Sequence, residues 1–311
     1  MSHLKSALLA TAAAFVLAGP ASAAGCDKVT FSDVGWTDIT ATTATAALVL
    51  ESLGYATETK LLSVPVTYAA MGEGDIDVFL GNWMPTMEAD IAPFRDAGSV
   101  ETLRTNLEGA KYTLATNTAG AALGIKDFAD IAANKDALDG NIFGIEAGND
   151  GNRLILDMIE GDAFGLKGFA LVESSEQGML AEVDRRTSKQ QPIIFLGWEP
   201  HPMNANFDMT YLTGGDDFFG PNLGGAMVDT NVRKGYADEC PNTGALLKNL
   251  VFSLAMENEI MGAILNDGMD PKEAAKAWLA ANPAVIEPWL AGVTTKDGGD
   301  AVAAVKAAIG L

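Results

Sequence analysis

The chain has 311 residues and is 48% hydrophobic, enough to bury a sizeable core in one large domain or two of ordinary size. It carries 41 acidic against 20 basic residues, a formal net charge of -21. That balance argues against nucleic acid and an anionic membrane as partners, and weakly favours a cationic ligand.

The N-terminus reads as an export signal over residues 1–23. Lys5 precedes an apolar run, Leu8 to Ala18, and Ala21-Ser22-Ala23 has the small-x-small pattern of a cleavage site. The run is shorter than the roughly 20 residues a bilayer span needs. The expectation is a periplasmic protein, exported and soluble. Two cysteines remain, Cys26 and Cys240. An even count in an exported protein points to a disulfide. The alternative is acylation of Cys26, because Ala23-Ala24-Gly25-Cys26 is a weak lipobox without the usual leucine.

Val29 to Val34 reads as a strand that meets Gly35 and then Trp36. Thr37 or Asp38 is expected to cap a helix running to Leu53. A strand over 56–62, a short helix near 65–72 and a strand from Asp77 to Gly81 follow, the last leading to Trp83. Thr86 to Asp96 is expected to be helical in part, interrupted by Pro93. Lys111 to Asn117 opens a second unit. In it come strands at 141–147 and 169–173, helices at 152–160 and 175–189, and a strand from Gln191 to Gly197 that leads to Trp198. Beyond about 208 the chain turns strand-like, then helical: Thr243 to Leu265, Ala274 to Ala281 behind an Asp270 cap, and about 284–291. Trp278 and Trp289 fall at apolar positions there and read as core. Strands alternating with helices predict an α/β fold with parallel pairing. The simplest architecture is a lobe of residues 27–112 plus 213–311, with a second lobe, 113–212, inserted. Two lobes joined by crossing strands make a cleft and a hinge.

No catalytic arrangement stands out. Spacings for zinc, for a phosphate-cradling loop and for a dinucleotide are absent, and His201 has no sequence-visible nucleophile. A binding protein is favoured over an enzyme, and no cofactor is expected. Trp36, Trp83 and Trp198 each follow an apolar strand and a glycine. A lone tryptophan is usually core, but in open α/β sheets ligands bind at the carboxyl ends of strands. The repeated setting predicts that these rings form one pocket. Aromatic faces attract cations that neither donate nor accept hydrogen bonds, so a quaternary ammonium is the natural ligand. Asp38 could add a negative charge; equally, it could be a plain helix cap.

These segments resemble the substrate-binding components of ABC importers for quaternary amines, the glycine betaine and choline group. The resemblance rests on Phe31-Ser-Asp-Val-Gly-Trp36-Thr-Asp38, Phe79-Leu-Gly-Asn-Trp83-Met-Pro, Gly109-Ala-Lys-Tyr112, Glu146-Ala-Gly-Asn149, Gly197-Trp198-Glu-Pro-His201 and Asn282-Pro283…Trp289. It spans the mature chain. It implies the two-lobed type II periplasmic binding protein fold, a permease and its ATPase as partners, and a monomer. It also implies a box of Trp36, Trp83, Tyr112 and Trp198 around a trimethylammonium group. Asp38 would face the ammonium or hydroxyl end, and Asn149 would bind the hydroxyl. Tyr112 and Asn149 enter only through this resemblance. His201 is placed behind the box, though in betaine binders this histidine can meet a carboxylate. A buried Asp38 favours choline over betaine, with acetylcholine a weaker candidate.

Overall fold

The computed structural model describes residues 25–311. The leader expected over residues 1–23 lies outside the described residues.

The chain alternates β1 (Lys28–Asp33), α1 (Thr37–Ser52), β2 (Ala56–Leu61), α2 (Val64–Glu73), β3 (Val78–Met84) and α3 (Glu88–Asp96). A long strand β4 (Val100–Asn117) and a short helix α4 (Thr118–Ala122) follow. Then come β5 (Asn141–Phe143), α5 (Asp150–Glu160), β6 (Ala170–Val172), α6 (Glu176–Ser188), β7 (Ile194–Glu199), β8 (Met209–Tyr211) and β9 (Gly225–Arg233). The remaining chain is helical, with its principal helices at Pro241–Asn249, Leu254–Leu265, Pro271–Ala281 and Ala301–Ile309.

One sheet runs in the order β2-β1-β3-β9-β4-β7-β5-β6, with β8 added to β4. β1 pairs parallel with β2 and β3, and β5 pairs parallel with β6 and β7. The antiparallel strands β9 and β4 join these two parallel groups. The fold is thus mixed α/β rather than wholly parallel, and it is that of the type II periplasmic binding proteins.

Local chemistry explains most elements. Val29 and Phe31 on β1 are fully buried. Gly35, at φ +87, turns the chain from β1 into α1, a conformation that a side chain would strain. Helix α1 is made largely of Ala and Thr, and its small side chains let Leu254–Leu265 and Pro271–Ala281 pack closely on it. Asp270 caps the latter helix through the amides of Lys272 and Glu273, as its sequence signature requires.

Several expectations are corrected. Thr37 and Asp38 do not cap α1: Trp36 holds the cap position, and Asp38 lies in the first turn. Trp83 and Trp198 lie within β3 and β7, not past their ends. Pro93 sits inside a continuous α3. The strand expected from Lys111 begins at Val100; three register shifts against β9 and Gly109 at φ +78 hide its first half from a period-two pattern. The helix expected over 243–265 is two helices. Leu250 is extended and the Phe252 amide donates to the Asn106 carbonyl at 2.7 Å, so the apolar period continues across a real break. Trp289 is buried, but Trp278 is only partly so and donates its indole N–H to Glu259 at 2.6 Å.

Cys26 and Cys240 form a disulfide, with Cα atoms 5.4 Å apart and a sequence separation of 214. A sulfur so bonded has no valence for a lipid thioether, which removes the acylation alternative.

Candidate functional site

Trp36, Asp38, Trp83, Tyr112, Asn149 and Trp198 line one cavity, together with Ile145 and Asp150. The space between these side chains is about 250 Å³, part of it open to solvent. Three strands, one turn and two helix starts converge on it. Trp36 comes from the β1–α1 turn, Trp83 from β3, Tyr112 from β4, and Trp198 from β7. Asp38 lies in the first turn of α1, and Asn149 caps α5 by accepting the Asn152 amide at 3.0 Å.

The four rings are almost wholly enclosed. The Tyr112 ring centroid lies 6.0 Å from that of Trp83 at 59° and 6.3 Å from that of Trp198 at 82°. Tyr112 and Trp198 face each other directly across the β4–β7 register. The Tyr112 hydroxyl donates to Asn149 Oδ1 at 2.9 Å. Gly151 leaves room for it, since a Cβ there would lie 2.1 Å from the hydroxyl oxygen.

Indole N–H groups fix two rings. Trp36 Nε1 donates to Glu146 Oε1 at 2.9 Å, and Trp83 Nε1 donates to Asp38 Oδ2 at 3.1 Å. Asp38 is 1% exposed, and its Oδ1 has no partner among the described residues. Burial, reinforced by repulsion from Glu176, pushes the Asp38 carboxyl up to about 8. Asp150, also 1% exposed, accepts from Asn149 Nδ2 at 3.1 Å, while its Oδ2 has no partner among the described residues. Burial pushes Asp150 up to about 6, although the nearby Thr86 hydroxyl, bonded to the Trp83 carbonyl, and Arg153 temper the rise. Glu146 is likewise raised to about 7, mainly by burial. The lining therefore offers aromatic faces and unpaired carboxylate oxygens, a combination suited to a cation with a hydrogen-bond donor.

His201 does not line the cavity. Its ring stands edge-on behind Trp198, centroids 4.9 Å apart, and both nitrogens are bonded, to Glu176 and to the Met203 amide. Asn149 is more committed than expected: its Oδ1 already accepts from Tyr112 and Asn152. Sequence reasoning missed Asp150 and Ile145. Asp150 stands next to a chosen residue at a helix start, where an acidic residue is ordinary, so nothing local marked it.

Residues 27–281 match the family described as the substrate binding domain of ABC-type glycine betaine transport systems. A solved ABC-transporter choline binding protein in complex with choline is 72% identical, with a TM-score of 0.91, and the match covers 92% of this chain and 99% of that one. An uncharacterized protein of Chromohalobacter salexigens is 51% identical over 134 residues, 43% of this chain and 86% of its own length. Lactococcal OpuAC complexed with glycine betaine, at 24% identity and a TM-score of 0.74 over 84% of this chain and 98% of its own, shares the fold. The chain belongs to the OpuAC family of ABC-importer substrate-binding domains, a family of binding proteins and not of enzymes.

Proposed function

We propose that this protein captures choline between two lobes and delivers it to a membrane permease driven by an ATPase. The observation that carries the reading is the four-ring cage beside the unpaired Asp38 oxygen. A trimethylammonium group gains about 2 kcal/mol from each desolvated ring. Four rings give a ceiling of roughly 8 kcal/mol, near the energy of a micromolar complex, before ordering costs. In this reading Trp36, Trp83, Tyr112 and Trp198 hold the ammonium group, Asp38 faces its charge, and Asn149 serves the hydroxyl end.

The tail selects the ligand. Betaine ends in a carboxylate and needs donors, whereas Asp38 Oδ1 and Asp150 Oδ2, the enclosed side-chain atoms without a partner among the described residues, are acceptors only once a bound cation has expelled their protons, which a ligand with its own carboxylate does less well. His201, the donor a betaine site could use, has both ring nitrogens engaged away from the cavity. The relative that is 72% identical was solved with choline, which supports the same ligand.

The lobes are read as residues 27–112 plus 213–311, and 113–212. Their boundary falls inside β4, where pairing with β9 gives way to pairing with β7 at Lys111. The protein is read as a periplasmic monomer. The test is a tryptophan-fluorescence titration of the mature protein with choline and glycine betaine side by side. A saturable micromolar response to choline, with betaine far weaker, is expected. A stronger response to betaine, or none to either, overturns the assignment.

A further inference from the structure

Helix α1 begins at the cavity wall, and its Thr37 amide is not capped from within its own segment. Trp36, at the cap position, makes no side-chain capping bond. The acceptor comes from 139 residues away: Glu176 Oε2 takes the Thr37 amide at 2.8 Å, and Oε1 takes the Thr37 hydroxyl at 2.5 Å. Glu176 is 1% exposed and is the first residue of α6.

Its third partner is His201. The Met203 amide donates to His201 Nδ1 at 2.9 Å, so that nitrogen carries no proton, and the ring is the neutral tautomer with its proton on Nε2. Nε2 lies 3.2 Å from Glu176 Oε1 and donates to it. Glu176 thus receives three donors, as a carboxylate does, and no positive charge comes with them. Titratable groups near Glu176 and Asp38 are Asp33 on β1, Glu146 before α5, Glu257 on Leu254–Leu265, and Tyr112 and Asp150 in the cavity lining. None of these is a lysine or arginine.

A helix N-terminus carries roughly half a positive charge, which opposes a cation placed beside it. Asp38 sits in that first turn, and its cavity is where the cation is read to bind. We propose that Glu176 is a positioning residue for ligand capture: it caps α1 from across the fold and cancels the helix's positive end, so that a cation can sit against Asp38. This inference rests on the choline reading. It also gives His201 its work, which is to hold the Glu176 carboxylate on Thr37 without neutralising it.

The test is calorimetric titration of Glu176→Gln and wild type with choline from pH 6 to 9.5, alongside thermal melting. Glu176→Gln keeps an acceptor for Thr37 and removes the charge. At the high-pH plateau, where Asp38 is ionised in both proteins, its choline affinity is expected to fall at least fivefold. The midpoint of the pH dependence is expected to move to lower pH, because Asp38 loses a repelling neighbour. A plateau within twofold of wild type, or an unmoved midpoint, overturns the proposal; a merely structural role would not move the midpoint. If Glu176→Gln does not fold, Glu176→Asp, which keeps the charge but draws the carboxylate back from Thr37, is expected to lower the plateau affinity, and a plateau within twofold of wild type overturns the proposal. If wild type takes up no choline at any pH, it is the choline reading that fails. The role of Glu176 is then read from the Asp38 carboxyl titration by NMR in the empty proteins, where an unmoved midpoint overturns it.

Discussion

The indole N–H of Trp83 and the Asp38 carboxylate, 3.1 Å apart, form one unit in which a ring of the cage orients the cavity's anion. One Asp38 oxygen is spent on the indole and the other has no partner among the described residues. Asp38→Asn keeps an oxygen for the indole but removes the charge. A charge-assisted contact is worth about 1.5–3 kcal/mol, so choline affinity at pH 9 should fall about tenfold to a hundredfold, with betaine affected less. Calorimetry with both ligands measures this, and equal losses would remove the argument from charge.

The pH dependence has a definite sign. Asp38, raised to about 8, holds a proton in the empty site at neutral pH, and a cation expels it. Choline affinity should rise with pH, by at most about tenfold per unit, and level off above about 8. Titrations near pH 7 in buffers of different ionisation enthalpy should show proton release on binding. Stability of the empty protein follows the opposite course. Asp38, Asp150 and Glu146 all bind protons more tightly when folded than when unfolded, so this part of the stability is lost as pH rises from about 4 to about 8. Melting temperature against pH, with and without choline, reads both effects.

Gly151 supplies a purely steric test. Its Cβ would lie 2.1 Å from the Tyr112 hydroxyl, so Gly151→Ala must push that ring off Asn149. Loss of one hydrogen bond of about 0.5–1.5 kcal/mol predicts choline binding weaker by up to about tenfold. Tyr112→Phe, which removes the hydroxyl without a clash, should show a smaller loss. If Gly151→Ala binds like wild type, the Tyr112–Asn149 contact contributes nothing to the site.

The Cys26–Cys240 bridge closes a loop of more than 200 residues, and neither cysteine lines the cage. The loop-entropy model gives it roughly 5 kcal/mol as an upper estimate. Replacing both cysteines with alanine should lower the guanidinium midpoint while leaving choline affinity within twofold. A large loss of affinity would show that the bridge shapes the site.

The parts of this molecule that can be read in the sequence are those whose signal is local. Trp36, Trp83 and Trp198 share a strand–glycine setting, and all three line one cavity. The disulfide followed from export and an even count of cysteines. What was hidden depends on contacts between distant segments. Glu176 looks like the acidic first residue of any helix, and only the fold brings it onto Thr37. Asp150 is equally ordinary until α5 docks against the rings. The first half of β4 was invisible because its pairing with β9 slips three times. The apolar run Leu250–Phe252 joined two helices on paper because hydrophobic periodicity does not record where a backbone amide finds another acceptor.

The two halves of β4 differ in a way that bears on motion. From Lys111 to Thr116 it matches β7 residue for residue without a slip, and Tyr112 and Trp198 stand opposite each other in that run. Separating those two rings means opening a continuous ladder, so they behave as one stiff wall. The slips lie between Thr102 and Ala110, on the other side of that wall. Amide hydrogens there should exchange through local opening, while those of the Tyr112–Trp198 run wait for the whole domain to unfold.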